Sequence, residues 1–129
     1  MKVLVVGGSG TIGRSVVELL SAKHEVIVAG REAKDVQVDI TSLDSIRAMY
    51  QAVDQLDAVI STTGKVHFGM LTDLTAPDCE IGLNNKLMGQ VNLVLEGIKH
   101  VKDGASFTLT SGILNRQFIP SGVSAAMVN

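Results

Sequence analysis

The chain has little cysteine and few aromatic residues. Among its 129 residues there is one cysteine, Cys79, no tryptophan, one tyrosine and three phenylalanines. A single cysteine excludes an internal disulfide and favours a reducing compartment. Because only 3% of the residues are aromatic while 46% are hydrophobic, the core must consist of Val, Ile, Leu and Ala, as in parallel sheets covered on both faces. The length fits one domain that buries a real core.

The chain also lacks a large excess of positive or negative charge, and it lacks long apolar runs. The formal net charge is -2 and no run of Lys or Arg occurs, which argues against nucleic acid as a partner. No apolar stretch reaches membrane-spanning length, and the run after Lys2 breaks at Gly7, as a first strand does and a signal peptide does not. His24, His67 and His100 are scattered without acids or cysteine at ligand spacing, so no metal site is predicted. We expect a cytoplasmic protein without a membrane partner.

Short apolar runs alternate with helical periodicity. Strands are predicted over residues 3–6, 26–29, 36–40 and 58–61 and around Phe107 and Leu109. Helices are predicted over 11–22, from a Ser42 cap to residue 53, and within 71–102, where Pro77 suits the first turn and Gly104 ends the helix. Residues 112–129 are predicted to be a loop followed by the start of a helix. The expected apolar stripes are Ile12, Val16, Leu19 and Leu20 on the first helix, and Leu87, Val91, Val94, Ile98 and Val101 on the long one.

Strands that alternate with helices imply right-handed crossovers and a parallel sheet. The predicted fold class is therefore α/β: a three-layer, Rossmann-like, doubly wound parallel sheet with strand order 3-2-1-4-5. Ligands bind such sheets where the strand order reverses, between the first and fourth strands. We expect residues 1–129 to form one NAD(P)-binding domain.

A glycine turn follows the first strand and opens the first helix. It contains two overlapping patterns, Gly8-x-Gly10-x-x-Gly13 and Gly7-x-x-Gly10-x-x-Gly13, in the context that a dinucleotide-binding fingerprint requires. Early glycines let the backbone approach a pyrophosphate, Gly13 lets the helix pack on the strand, and the helix N-terminus offers N–H donors. The alternative is a glycine-rich turn without a ligand. The predicted phosphate-binding residues are Gly7, Gly8, Ser9, Gly10, Thr11, Ile12 and Gly13.

The residues after the second strand indicate which dinucleotide binds. This fold uses an acid at that point for the ribose hydroxyls of NAD, or an arginine for the 2′-phosphate of NADP. The chain has Arg31 followed by Glu32, with no acid at the strand end. The arginine fork suits a phosphate, so NADP is the predicted cofactor and NAD the second choice. The alternative is a solvated Arg31 paired with Glu32.

Polar residues at two further strand ends reach the same crevice. Asp39 and Ile40 are predicted to hold the adenine amino group and cover its ring, with a helix cap as the other role for Asp39. Ser61, Thr62, Thr63 and Gly64 follow the fourth strand. Their hydroxyls contact a ribose or only satisfy a turn.

Together these motifs resemble the short-chain dehydrogenase/reductase family over essentially the whole chain. Asp39-Ile40 is similar to the family's adenine-side pair, while Ser61-Thr62-Thr63-Gly64 stands in place of Asn-Asn-Ala-Gly and keeps only the glycine. The segment Thr108-Leu109-Thr110-Ser111-Gly112 resembles the fifth strand with its serine, which implies a catalytic role for Ser111. The family also uses an Asn on the long helix. The usual spacing to Gly89 falls on Lys86, and Asn85 is the chemically matching neighbour that we assign to this role.

The main departure from the family follows Ser111. A Tyr-x-x-x-Lys pair is expected about a dozen residues later, but residues 123–129 contain neither Tyr nor Lys, and Tyr50 lies on the second helix. In the family the Tyr is the general acid and the Lys lowers its pKa, so the proton has no obvious donor here. The family's C-terminal helix and strand are absent as well. Either the chain continues beyond Asn129, or the protein does without a substrate lobe; the apolar edge left exposed favours a homo-oligomer.

Two functions are compatible with these residues. The first is NADP-dependent hydride transfer to or from a small carbonyl or alcohol substrate, with Ser111 orienting the oxygen and the proton coming from water, Lys86 or residues beyond Asn129. The second is a non-catalytic dinucleotide-binding sensor or structural module. The missing Tyr and Lys favour the second function, and the retained Thr-Leu-Thr-Ser-Gly segment favours the first.

Overall fold

A computed structural model describes residues 1–53 and 55–129. The strands are β1 (Lys2–Val6), β2 (Glu25–Gly30), β3 (Val36–Gln37), β4 (Leu56–Ser61) and β5 (Val101–Thr108). The helices are α1 (Thr11–Ser21), α2 (Leu43–Val53), α3 (Ala76–Gly82), α4 (Met88–Gly97) and α5 (Val123–Met127). A π-helical turn (Leu83–Leu87) joins α3 to α4, and a 3-10 turn (Ile113–Asn115) follows β5.

The strands form one parallel sheet in the order β3-β2-β1-β4-β5. Val3 in β1 pairs with Val26 on one side and with Ala58 on the other. The predicted α/β class and strand order are therefore confirmed. Because all strands run the same way, their carboxyl ends share one edge of the sheet, and the order reverses beside β1.

Aliphatic side chains fill the space on both faces of the sheet. On one face, Leu4, Val6 and Val59 pack with Ile46, Met49 and Tyr50 of α2 and Leu93 of α4. On the other face, Val3, Val5 and Ala58 pack with Val16, Val17 and Leu20 of α1. These two layers hold the carboxyl ends of β1 and β4 in place beneath the crevice.

The helix predicted within residues 71–102 is present as a continuous helical run over residues 76–97, but its C-terminal end was misplaced and it contains a π-helical turn. The helix begins after Thr75, which caps α3 by accepting a hydrogen bond from the Asp78 N–H, and Pro77 lies in the first turn as expected. The π-helical turn interrupts it, α4 ends at Gly97, and Val101 opens β5. Gly104 lies inside β5 with φ +79° rather than ending a helix. Helical periodicity continued through these breaks, so the pattern alone did not show them.

The predicted apolar stripes are also partly wrong, because glycines occupy the buried faces. On α4 the buried residues are Gly89, Gln90, Leu93 and Gly97, whereas Leu87 and Ile98 are exposed. On α1 the packed face is Gly13, Val16, Val17 and Leu20, whereas Ile12 and Leu19 are 60% and 76% exposed. Glycine brings each helix close to its neighbour: a Cβ at Gly97 would lie 2.5 Å from the Tyr50 hydroxyl. The helical period was predicted correctly, but the side of each helix that is buried was not.

Two strand ends differ from the prediction as well. The third strand stops at Gln37 rather than at residue 40, because Thr41 donates two hydrogen bonds to Asp39 and turns the chain. The fifth strand stops at Thr108, so Leu109 lies outside it. Beyond the strand, Gln90 bonds to the N–H and the carbonyl of Thr110, so these backbone groups pair with a helix side chain instead of extending the ladder. No helix among the described residues has the length and apolarity to cross a membrane.

Candidate functional site

The glycine turn between β1 and α1 is held by its own backbone. Gly7 donates from its N–H to the Ala29 carbonyl at 2.7 Å, and Gly10 donates to the Gly7 carbonyl at 2.9 Å. Gly7 has φ +84°, a conformation that side chains other than glycine rarely adopt. A Cβ at Gly13 would lie 2.7 Å from the Gly8 Cα. Gly7 and Gly13 therefore have structural roles that account for their positions.

The same turn borders a cavity of about 470 Å³ at the carboxyl edge of the sheet. Of the predicted phosphate-binding residues, Gly7, Ser9 and Gly10 line this first cavity. Gly8 and Gly13 lie in the packing beneath it, and Thr11 and Ile12 are exposed outside the lining. No side chain caps α1, and a Cβ at Gly10 would meet only the Gly7 carbonyl, at 3.2 Å. The backbone N–H groups at this helix end are thus open to a phosphate, which fits a dinucleotide.

Arg31 lies at the other end of the first cavity, where β2 ends. Its guanidinium pairs with Asp39, with Nη2 3.7 Å from Oδ1, so its acidic partner is Asp39 and not the Glu32 of the alternative interpretation. The Thr41 hydroxyl and N–H donate to Asp39 and, with Arg31, hold the pKa of that carboxyl below its ordinary value. Ile40 lines the cavity, whereas Asp39 does not. Asp39 thus turns the chain and holds Arg31, while Ser42 caps α2 by accepting from the Ser45 N–H.

The residues after β4 form the wall opposite Arg31. Thr62, Thr63 and Gly64 line the first cavity. Ser61 is completely buried, and its carbonyl accepts a hydrogen bond from the Thr110 hydroxyl at 2.5 Å. The Thr62 hydroxyl donates to the Val6 carbonyl at 3.1 Å. At Thr62, therefore, the hydroxyl joins the ends of β1 and β4.

The π-helical turn supplies neighbouring residues to two different cavities. Asn85 is buried, lines the first cavity, and accepts a hydrogen bond from the Lys65 N–H at 2.6 Å. Lys86 lines a second cavity of about 170 Å³. Its stem lies against Gly64, where a Cβ would come within 2.8 Å of the Lys86 Cγ. Gly64, in the lining of the first cavity, therefore lies in close contact with Lys86, in the lining of the second.

Ser111 lies in the second cavity with Lys86 and Thr110. Its hydroxyl donates to the main-chain oxygen of Asn129 at 2.7 Å. Gln90 forms the wall: its amide nitrogen donates to the carbonyls of Lys86 and Thr110, each at 3.0 Å, and its oxygen accepts from the Thr110 N–H at 2.8 Å. Sequence analysis missed Gln90, although a polar residue on the buried side of a helix was a usable signal.

Tyr50 does not belong to either cavity. Its side chain is fully buried, its hydroxyl donates to the Leu93 carbonyl at 2.6 Å, and its ring stacks on His100. Burial raises its pKa, so it stays protonated. In α5, Ser124 and Ala125 are buried. Across residues 1–53 and 55–129, no group of three or more His, Cys, Asp or Glu side chains could hold a metal ion.

A comparison with protein families matches residues 3–101 to the model of the NAD dependent epimerase/dehydratase family. The chain belongs to that family. Versicolorin reductase 1 of Dothistroma septosporum is 31% identical over 102 residues, which cover 76% of this chain and 39% of that protein. The resemblance to short-chain dehydrogenases/reductases is therefore confirmed.

Solved structures agree with this family membership. The protein lin1944 from Listeria innocua is 50% identical, with a TM-score of 0.98, and the match covers all of this chain and 64% of that one. A small-chain dehydrogenase in complex with NADPH is 27% identical, with a TM-score of 0.92 over all of this chain and 58% of that one. This chain thus spans less than two thirds of the length of each of these relatives. The family and the NADPH-bound neighbour support a nicotinamide dinucleotide as the class of cofactor.

Proposed function

We propose that this protein is an NADP-dependent oxidoreductase of the short-chain dehydrogenase/reductase type that acts on a small carbonyl or alcohol substrate. One observation carries the choice of NADP: Arg31 lines the cavity at the end of β2, and no acid ends that strand. A guanidinium at this point suits the 2′-phosphate that distinguishes NADP from NAD. The NADPH-bound neighbour supports the same choice.

Different residues along the first cavity suit different parts of the cofactor. The N–H groups after Gly10 suit the pyrophosphate, and Arg31 suits the 2′-phosphate, with Asp39 positioning the guanidinium from 3.7 Å away. Ile40 lines the wall beside them, where its side chain suits the face of the adenine ring. A bound nicotinamide cofactor supplies the hydride.

We propose different roles for Ser111 and Asn85 in the reaction. The Ser111 hydroxyl suits the substrate oxygen, because it lies in the second cavity and its partner among the described residues is a main-chain oxygen. Asn85 acts through another residue, since its amide oxygen already accepts from the Lys65 N–H. We therefore propose Ser111 as a catalytic residue. We propose Asn85 as a positioning residue that holds the backbone of Lys65.

Cofactor titration and turnover test this proposal. The protein is expressed from its complete reading frame, titrated separately with NADPH and NADH by fluorescence, and then assayed on a panel of ketones, aldehydes and alcohols. We expect tighter binding of NADPH and turnover of at least one compound. Stronger binding of NADH would remove the proposed role of Arg31, and an absence of turnover on the whole panel would remove the enzymatic function.

A non-catalytic sensor or structural module is the second candidate. It is favoured by one observation: residues 123–129 contain neither the Tyr nor the Lys that the family uses. Tight NADPH binding without turnover on the panel would support this candidate.

We also propose that the protein acts as a cytoplasmic homo-oligomer. The exposed apolar residues Leu95 of α4 and Ile98, which follows α4, support self-association. The single cysteine supports a reducing compartment. Light scattering of the purified protein measures the oligomeric state, and a monomer at micromolar concentration would contradict this proposal.

A further inference from the structure

The second cavity contains one ionisable amine beside Ser111. The residues that line it are Lys86, Leu87, Gln90, Val91, Leu109, Thr110, Ser111, Val128 and Asn129. Among these, Lys86 alone has a side chain that is an acid or base near neutral pH. Among the described residues that line the cavity, no side chain is acidic. The charged side chains among the residues that line the first cavity are those of Arg31 and Lys65.

The stem and the backbone of Lys86 are both held in place. The absence of a Cβ at Gly64, whose φ is +145°, leaves room for the Lys86 Cγ. Its carbonyl accepts a hydrogen bond from the Gln90 amide nitrogen. This carbonyl belongs to the π-helical turn, in which the Met88 N–H bonds to the Leu83 carbonyl, one residue further back than in an α-helix. The stem and the backbone carbonyl of Lys86 are therefore held in place beside the second cavity, which Lys86 and Ser111 both line.

The surroundings of Lys86 also suit proton transfer. Burial lowers the pKa of its ammonium from the ordinary lysine value, because the charged form loses hydration. A lysine with a lowered pKa gives up its proton more readily near neutral pH, as general acids do. The same cavity contains the hydroxyl that would hold the substrate oxygen.

We propose that Lys86 is the catalytic acid of this site and donates a proton from Nζ to the substrate oxygen held by Ser111. This inference rests on the proposed oxidoreductase function. In carbonyl reduction the cofactor supplies the hydride to the carbonyl carbon, and Lys86 supplies the proton to the oxygen. The products are an alcohol, the oxidised cofactor and a neutral Lys86 amine, which regains its proton from water. Lys86 thus fills the role left open by the missing tyrosine.

Substitution of Lys86 in the protein expressed from its complete reading frame tests this role. Lys86→Met should lower kcat about 100- to 10,000-fold, the usual contribution of a positioned acid, and leave the NADPH Kd within about threefold. Lys86→Arg should also lose activity, because a guanidinium does not release its proton near neutral pH. The matched control is Lys23→Met, at an exposed lysine after α1, which should retain activity.

A second measurement does not depend on turnover. Competitive acetylation across a pH series, followed by mass spectrometry, measures the titration of the Lys86 amine with Lys23 as the internal reference. We expect the Lys86 midpoint to lie below that of Lys23.

Three results would overturn the role of Lys86. They are a kcat within threefold of the parent in Lys86→Met, a Kd for NADPH that rises as much as kcat falls, or a Lys86 midpoint at or above that of Lys23. The first leaves the oxidoreductase function standing, because the parent is then active without this amine. The second would assign Lys86 to cofactor binding instead. A parent protein that turns over nothing removes the oxidoreductase function and this role together.

Discussion

Arg31 carries the choice between the two cofactors, although its side chain is 65% exposed. A pair with Asp39 at 3.7 Å in such a place adds little stability. Its value lies in holding the guanidinium near the cavity, where a 2′-phosphate would accept charge-assisted hydrogen bonds.

Removing this cation should therefore weaken binding of NADPH alone. We expect Arg31→Met to raise the NADPH Kd about 10- to 100-fold, since a hydrogen bond to a charged group contributes about 1.5 to 3 kcal/mol. Fluorescence titration should show the NADH Kd within about threefold of the parent. The control is Lys34→Met, at an exposed lysine outside the cavity lining. An equal rise in Kd for NADPH and NADH would mean that Arg31 does not bind the 2′-phosphate.

Gly10 and Gly13 should respond differently to an added side chain. A Cβ at Gly10 meets only the Gly7 carbonyl, at 3.2 Å, so Gly10→Val should fold but block the approach of a pyrophosphate. A Cβ at Gly13 would come within 2.7 Å of the Gly8 Cα, so Gly13→Val should unfold at a lower temperature. Thermal melts and NADPH titration separate the two effects. Unchanged affinity in Gly10→Val would refute the placement of the phosphates.

Gln90 matters at the scale of elements, because its three hydrogen bonds join the π-helical turn, α4 and the loop after β5. It is only 6% exposed, and its hydrogen bonds are partly shielded from water. Replacing it removes the side-chain partner of the Lys86 carbonyl and of both Thr110 backbone groups. The position of Ser111, the next residue along the chain, depends on this contact.

Gln90→Leu should therefore destabilise the fold and reduce activity together. We expect a loss of about 2 to 4 kcal/mol in the free energy of unfolding, from partners that cost about 1 to 3 kcal/mol each when unsatisfied. Urea denaturation measures this loss. Asn92→Leu on the same helix is the control, with an expected change below about 1 kcal/mol. Equal stability of the two variants would contradict the bridging role of Gln90.

At the scale of the whole molecule, carboxylates connect distant parts of the chain. Asp57 accepts from the Lys2 N–H and pairs with Lys102, which joins β1, β4 and β5. Glu96 of α4 pairs with Arg47 of α2. The pKa of Asp57 is lowered first by the Lys2 N–H and then by Lys102, and that of Glu96 by the hydrogen bond from Arg47.

These lowered pKa values predict how stability depends on pH. A carboxyl with a lower pKa in the folded state stabilises the protein above its ordinary pKa of about 4 and loses that effect as pH falls through the folded value. Urea midpoints should therefore be constant between about pH 6 and 7 and fall below about pH 4. Asp57→Asn should make the acid-side fall shallower. A midpoint that rises on acidification would contradict this prediction.

The fold was largely predictable because its signals are local. Buried β-branched runs, the glycine turn and the helix caps each depend on a few adjacent residues, and alternation of strands and helices determines the topology. The buried faces of α1 and α4 were not predictable from apolar periodicity, since Gly13, Gly89 and Gly97 are buried for close approach rather than for hydrophobicity. A search for periodic hydrophobic residues does not identify such buried glycines.

The candidate site was predicted unevenly for a related physical reason. The glycine turn and Arg31 follow strands directly, so their position at the sheet edge follows from topology. Gln90, Lys65 and the placement of Lys86 depend on the π-helical turn and on Gly64, which bring together segments about 20 residues apart in the chain. Contacts between such segments leave no periodic signal.

The extra residue in the winding between α3 and α4 has a mechanical consequence. An α-helix advances 100° per residue, so deleting one residue from Leu83–Leu87 would rotate the preceding segment by that angle relative to α4. Asn85 and Lys86, which line different cavities, belong to this turn. We therefore expect such a deletion to change which cavity each of the two residues borders.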